Sequence, residues 1–138
     1  MSDKPILLVD DSDDDATLLK LTLKKANLDN PVHHVADVEQ AICYLSGEAP
    51  FTDRTKHPLP SIIFLDLKLP NRDGFQLLEW VGRRPEFRTI FIVVLAGVGR
   101  IEEIAKAYRL GANTFLTKPA KPEDIDNLVT GHANIWHT

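Results

Sequence analysis

The sequence predicts an α/β fold built on a parallel five-stranded sheet, and three observations carry that expectation. Three runs are apolar on consecutive residues: Ile6-Leu7-Leu8-Val9, Ile62-Ile63-Phe64-Leu65 and Ile90 to Leu95. Continuous apolar runs of this kind are strands buried on both faces, as in a parallel sheet covered by helices. Segments of helical period lie between them, so strand and helix alternate five times and right-handed crossovers follow. At 138 residues the chain has the length of one ordinary domain with a real core.

The elements follow in order. After the first strand, residues 16–26 alternate Leu18, Leu19, Leu21, Leu23 and Ala26 with Lys20, Lys24 and Lys25, which reads as a first helix. Residues 32–36 form a weaker second strand, and residues 38–46 a second helix. Residues 47–60 carry three prolines and read as a long surface loop, not a domain boundary. The third strand leads into a helix over residues 74–83, ended near Pro85. Beyond the fourth strand, Ile101, Ile104, Ala105 and Tyr108 fall at i, i+3, i+4 and i+7, with Glu102, Glu103 and Lys106 opposite and Gly111 as terminator. Residues 114–117 supply the fifth strand. A last helix begins around Glu123 and Asp124, just after Pro122, with Gly131 weakening its far end.

Composition narrows the function. No apolar run approaches the roughly 18 residues of a membrane span, and Met1-Ser2-Asp3-Lys4-Pro5 lacks the features of a signal peptide. Cys43 is the single cysteine, which excludes an internal disulfide and a cysteine-rich zinc site. A reduced, cytoplasmic setting is expected. The net charge of −4 is unevenly placed: residues 1–15 hold six aspartates against one lysine, whereas the remainder is nearly balanced. No basic excess of the kind that binds nucleic acid through phosphates is present.

In an open parallel α/β sheet, ligands bind at the carboxyl ends of the strands. Asp10 and Asp11 follow the first apolar run, Asp66 the third, Ala96 and Gly97 the fourth, and Lys118 the fifth. Three carboxylates and an ammonium therefore converge on one edge. Carboxylates about 5 Å apart repel by roughly 3 kcal/mol at an effective dielectric of about 20, so the trio calls for a cation. Mg²⁺ suits few carboxylates, waters and a phosphoryl oxygen. Other features have blander readings. Asp13, Asp14 and Asp15 start the first helix. An EF-hand fails, because Ala16 and Thr22 stand where Gly and Glu are needed. His33 and His34 point to opposite faces of a strand. Cys43 belongs to the core, and Trp80 and Trp136 to packing.

The segments Leu7-Leu8-Val9-Asp10-Asp11, Asp66-Leu67-Lys68-Leu69-Pro70-Asn71-Arg72-Asp73-Gly74 and Leu110-Gly111-Ala112-Asn113-Thr114-Phe115-Leu116-Thr117-Lys118-Pro119 resemble a response-regulator receiver domain of two-component signalling. The resemblance covers Ile6 to about Val129. The loop with Phe51-Thr52-Asp53-Arg54 and Pro58-Leu59-Pro60 further resembles the stand-alone regulators associated with phytochrome-type histidine kinases. The resemblance implies a flavodoxin-like sheet of strand order 2-1-3-4-5, a single receiver domain over residues 1–138 without an effector domain, and no classical enzyme. It implies that Asp66 accepts a phosphoryl group from a phosphohistidine on a partner kinase or phosphotransfer protein. Asp11 and Asp66 would ligate Mg²⁺ directly, with the backbone carbonyl of Lys68 as third ligand and Asp10 acting through water. Lys118 would hold a phosphoryl oxygen. Ala96, Gly97 and Phe115 occupy the switch positions. Signalling would run through protein contacts with an unknown downstream protein, and family members also form homodimers.

One departure matters. Ala96 stands where the family has Ser or Thr, and no Ser or Thr occurs anywhere from Ile90 to Asn113. The missing hydroxyl removes one charge-assisted hydrogen bond to the phosphoryl group, about 1.5–3 kcal/mol, and weakens coupling to Phe115. Phe91 also replaces a common proline. A receiver-fold module that acts independently of phosphorylation is therefore the alternative. A haloacid-dehalogenase-like hydrolase would need a second Asp two residues after Asp66, where Lys68 stands.

Overall fold

The structure, a computed structural model, describes residues 4–69, 73–97 and 101–136. Its strands are β1 (Ile6–Val9), β2 (Val32–Val35), β3 (Ile62–Asp66), β4 (Phe91–Ala96) and β5 (Thr114–Thr117). They form one parallel sheet in the order β2-β1-β3-β4-β5, as the family resemblance implied. The helices are α1 (Asp13–Lys25), α2 (Val38–Ser46), α3 (Gly74–Gly82), α4 (Ile101–Arg109), α5 (Pro122–Gly131) and the single turn α6 (Ala133–Trp136).

Strand alternation sorts the apolar runs into two cores. Leu7, Val9, Ile63, Leu65, Ile92 and Val94 face the side covered by α2 and α3, together with Tyr44, Leu77 and Leu78. Ile6, Leu8, Ile62, Phe64, Val93 and Leu95 face the other side, against Leu19 and Leu23 of α1 and Ile125 and Leu128 of α5. Because both faces are covered, the central strands carry no polar alternation.

Local chemistry sets where each helix begins. Ser12 Oγ accepts from the Asp15 amide at 3.1 Å, Asp37 from Gln40 at 2.8 Å and Asp73 from Gln76 at 3.2 Å. Each satisfies one of the orphan amides of a first turn. Thus α1 starts three residues earlier than the periodicity suggested, with Asp13, Asp14 and Asp15 in its first turn. A left-handed Gly47 (φ 70°) ends α2. The long loop after it is tied down: Arg54 donates to the carbonyls of Tyr44 (2.8 Å), Leu45 (2.8 Å) and His57 (3.1 Å).

The chain end differs from the expected single last helix. The helix breaks at His132 (φ −142°), and the following turn seats Trp136, fully buried, edge-on to Phe64 at 6.0 Å. Asn30 Nδ2 donates to the carbonyls of both Lys4 and Trp136 at 2.8 Å, which ties this turn to the start of β1. Trp80 packs too, stacked on Phe87 at 5.6 Å with the Arg84 guanidinium 3.8 Å above it. Cys43 is only half-buried, outside both cores, because its position on α2 lies beside the inward-facing Ala41, Tyr44 and Leu45. Among the described residues, no helix is long and apolar enough to cross a membrane.

Candidate functional site at the carboxyl edge of the sheet

Backbone ladders that run past the strand ends place the site. The Asp10 amide donates to Val35 O at 3.1 Å, Leu67 N to Leu95 O at 3.2 Å and Lys118 N to Ala96 O at 2.7 Å. Asp10, Asp66 and Lys118 are thereby fixed at the ends of β1, β3 and β5, on one edge of the sheet. Gly74 sets the floor of the β3–α3 connection. A Cβ there would lie 2.8 Å from Asp66 O and 2.9 Å from Leu67 Cα, and its amide donates to Leu67 O at 2.8 Å.

The two buried carboxylates are held alike. Asp10 Oδ1 accepts from the Ser12 amide and Asp66 Oδ1 from the Lys68 amide, both at 3.0 Å. Their Oδ2 atoms both face the Lys118 ammonium, at 2.9 Å and 3.0 Å. Only 2% of the Asp10 side chain and 9% of the Asp66 side chain is exposed, so these pairs are little screened. Asp11 is exposed, yet a carboxylate oxygen of each of Asp10, Asp11 and Asp66 lies within 4.8 Å of the others.

Electrostatics follows from this crowding. Burial, with the nearby Asp10 charge, pushes the Asp66 carboxyl above the usual carboxylate value, against the opposing pull of its bonds to Lys118 and the Lys68 amide. Burial works against the Lys118 charge as well. Its hydrogen bonds to Asp10, Asp15 and Asp66 outweigh that and hold the ammonium above its ordinary value. Two carboxylates 4.8 Å apart repel by about 3.5 kcal/mol at an effective dielectric of about 20. One lysine cannot offset three such charges. The donor set is all hard oxygen, and octahedral ligands of Mg²⁺ stand about 3 to 4.2 Å apart, within small side-chain adjustments of the trio. The residues present fit a divalent cation.

The strand-end reading of Asp10, Asp11, Asp66 and Lys118 is thus brought together in space. Ala96 is buried at the end of β4, and Phe115 packs half-buried against the same core cluster, so these two expected switch positions share a face of the sheet. A Cβ on Gly97 would meet nothing within 4 Å. Pro70, Asn71 and Arg72 of the β3–α3 segment lie outside the described residues, as do residues 98–100.

Two contacts escaped the sequence reading. Asp15, grouped with Asp13 and Asp14 as a helix starter, also reaches Lys118 Nζ at 3.0 Å. Its signal was phase: Asp15 stands one turn before the buried Leu19, on the face of α1 that looks towards the sheet. His34 points away from His33, as alternation requires, and its Nε2 lies 2.7 Å from the Asp10 carbonyl. A carbonyl only accepts, so Nε2 carries the proton. A largely apolar cleft of about 270 Å³ opens beside the ammonium, lined by Leu18, Leu19, Thr22, Leu95 and Pro119.

Fold and site together define a flavodoxin-like domain with an acidic, cation-fitting pocket at the carboxyl edge of its sheet. Residues 6–130 match the response regulator receiver domain, and the chain belongs to that family. Among curated proteins it is 31% identical over 133 residues to the response regulator Rcp1 of a Synechocystis species, covering 96% of this chain and 88% of that protein. The bacteriophytochrome response regulator RtBRR superposes with a TM-score of 0.82 at 35% identity, over 94% of this chain and 77% of that one. The Mn²⁺-bound form of Rcp1 gives a TM-score of 0.75 at 30% identity (95% and 92% covered). The phosphorylated cyanobacterial phytochrome response regulator RcpA gives 0.78 at 30% identity (96% and 93%).

Proposed function

We propose that the chain is a phosphoacceptor receiver in which Asp66 takes a phosphoryl group from a phosphohistidine on a partner histidine kinase or phosphotransfer protein. The observation that carries this is the Lys118 ammonium at 2.9–3.0 Å from the buried Asp10 and Asp66 carboxylates, with Asp11 completing the trio. An Asp66 carboxylate oxygen attacks phosphorus, the P–N bond of the donor imidazole breaks, and the imidazole leaves with its electron pair and gains a proton. Such a transfer needs positioning and neutralisation of oxygen charge more than covalent help. Lys118 supplies one positive charge directly. Asp11, Asp66 and the Lys68 carbonyl would hold Mg²⁺ directly and Asp10 through water, and the ion would neutralise phosphoryl oxygens when bound. Gly97 leaves the approach to Asp66 open. That RtBRR and RcpA are phytochrome response regulators supports a phytochrome-type kinase as partner. The output then runs through protein contacts, with a downstream protein or a second copy of the chain, in the cytoplasm and without direct nucleic-acid binding.

Incubation with phosphoramidate and Mg²⁺, followed by intact mass, tests the reading. A phosphoryl adduct on the wild type that is absent from a folded Asp66→Asn variant is expected. No Asp66-dependent adduct on a folded wild type overturns it.

Ala96 favours a second reading, a module whose contacts do not depend on phosphorylation. The two are separated by comparing chemical-shift changes at Phe115 on phosphorylation in the wild type and in Ala96→Thr. Enlarged changes in Ala96→Thr support a weakened switch. Equal, full changes in both proteins leave no role for the missing hydroxyl.

A further inference from the structure

The Lys118 ammonium has three N–H bonds, and all three are used on carboxylates: Asp10 at 2.9 Å, Asp66 at 3.0 Å and Asp15 at 3.0 Å. These partners are not equivalent. Asp10 and Asp66 belong to the trio that fits a divalent cation, and Asp15 does not. A bound cation would therefore compete with the ammonium for two of its three partners and repel it as a like charge. The third partner is left over.

Asp15 is built to be that partner. Its backbone is fixed by the cap, where its N–H donates to Ser12 Oγ at 3.1 Å. Its place one turn before Leu19 turns the carboxylate towards the sheet edge, whereas a role at the helix start alone needs no such phase. It comes from α1, an element that supplies none of the trio, so it can hold the lysine without occupying the cation's donors.

We propose that Asp15 is a positioning residue that retains Lys118 in the site once Asp10 and Asp66 are engaged by a divalent cation, so that the ammonium already faces the incoming phosphoryl oxygen. The inference rests on the phosphoacceptor reading of Asp66, and it deepens that reading by separating two jobs among four aspartates. Asp10, Asp11 and Asp66 serve the cation, and Asp15 serves the lysine.

The first test needs no phosphorylation. Nitrogen-detected NMR of the lysine ammonium groups follows Lys118 in the wild type, Asp15→Asn and the helix-start control Asp14→Asn, with and without saturating Mg²⁺. The wild type and Asp14→Asn are expected to keep a hydrogen-exchange-protected Lys118 signal when Mg²⁺ is added. Asp15→Asn is expected to show it without Mg²⁺ and to lose it at saturation. A Lys118 signal in Asp15→Asn that survives saturating Mg²⁺ overturns the proposal, whether or not Asp66 takes a phosphoryl group. The second test measures phosphorylation by phosphoramidate at saturating Mg²⁺. Asp15→Asn should be slower by on the order of threefold to fivefold, as for a half-exposed ion pair. Asp14→Asn should match the wild type, and the Asp15→Asn effect should vanish in a Lys118→Ala background. A loss as large without Lys118 as with it would show that Asp15 does not act through the lysine.

Discussion

Replacing Lys118 by Met removes the charge and keeps most of the stem, so the cost falls on the carboxylates it serves. Asp10 and Asp66 would be left buried at 2% and 9% exposure without their shared cation. Removing one partner of a buried pair costs about 3–5 kcal/mol, since the charges left behind are unpaired. The repulsion within the trio, about 3.5 kcal/mol per pair at 4.8 Å, is then unrelieved and gives the same scale. A domain of this length has roughly 7–20 kcal/mol of stability, so the variant still folds. The expected result in urea denaturation at pH 7 without divalent cation is a loss of about 3–4 kcal/mol. Mg²⁺ should restore most of it, because the ion replaces the missing charge at the same oxygens. Its stabilisation of the variant should exceed that of the wild type by about 1.4 kcal/mol for each tenfold gain in affinity. Acid should also restore it, since protonating one carboxylate removes a repelling charge. A loss below about 1 kcal/mol, or one indifferent to both Mg²⁺ and pH, would refute the charge argument.

Three further outcomes follow from the same geometry. The Asp66 carboxyl is raised in the folded state, so between its ordinary value and the raised one the folded chain binds more protons than the unfolded. Metal-free stability attributable to Asp66 should therefore rise as pH falls through that window, and Asp66→Asn should be stabilising at pH 7 in metal-free buffer but not in Mg²⁺; denaturation against pH reads both. Gly74→Ala would push a methyl against Asp66 O and Leu67 Cα at 2.8 and 2.9 Å, costing about 1–3 kcal/mol and weakening the thermal shift on Mg²⁺. Arg54→Ala would free the end of α2 and the 47–60 loop from three hydrogen bonds, for about 2 kcal/mol and faster proteolysis in that loop.

The sheet was legible because its three central strands, β1, β3 and β4, are apolar on consecutive residues, as strands of a covered parallel sheet are. Asp10, Asp11, Asp66 and Lys118 were legible because strand ends carry ligands in such a sheet, a rule that needs only the order of residues. What was not legible depends on phase and distance. Asp15 has the same composition signal as Asp13 and Asp14, and only the helix register turns it towards Lys118. The bond from His34 to the Asp10 carbonyl depends on side-chain reach across two strands. Trp136 reaches its place under Phe64 because the chain breaks at His132, a break that Gly131 hinted at without showing where the chain goes next. Arg54 looked like one more loop residue, yet its guanidinium meets the carbonyl end of α2, where a cation is favoured.

In the proposed receiver, Ala96 would lack the hydroxyl of a switch while the chemistry beside it stays whole. Asp66, the cation-fitting trio and Lys118 form a site that does not involve β4's last side chain. What β4 contributes is the link outward: Ala96 and Phe115 pack on one face, and Lys118 N is bonded to Ala96 O at 2.7 Å. A hydroxyl at that position would add a bond of about 1.5–3 kcal/mol that forms only with the phosphoryl group present, which is the differential interaction a switch needs. Its absence from the proposed receiver would reduce the phosphorylation-driven shift between the two states by roughly 10- to 150-fold. In the proposed receiver, the remaining bias must then come from whatever docks against the Phe115 face, because a ligand shifts an equilibrium only by its difference in affinity for the two states. Phosphorylation and partner binding would act jointly, and affinity for the partner would report the phosphoryl group more faithfully than the conformation of the free domain does.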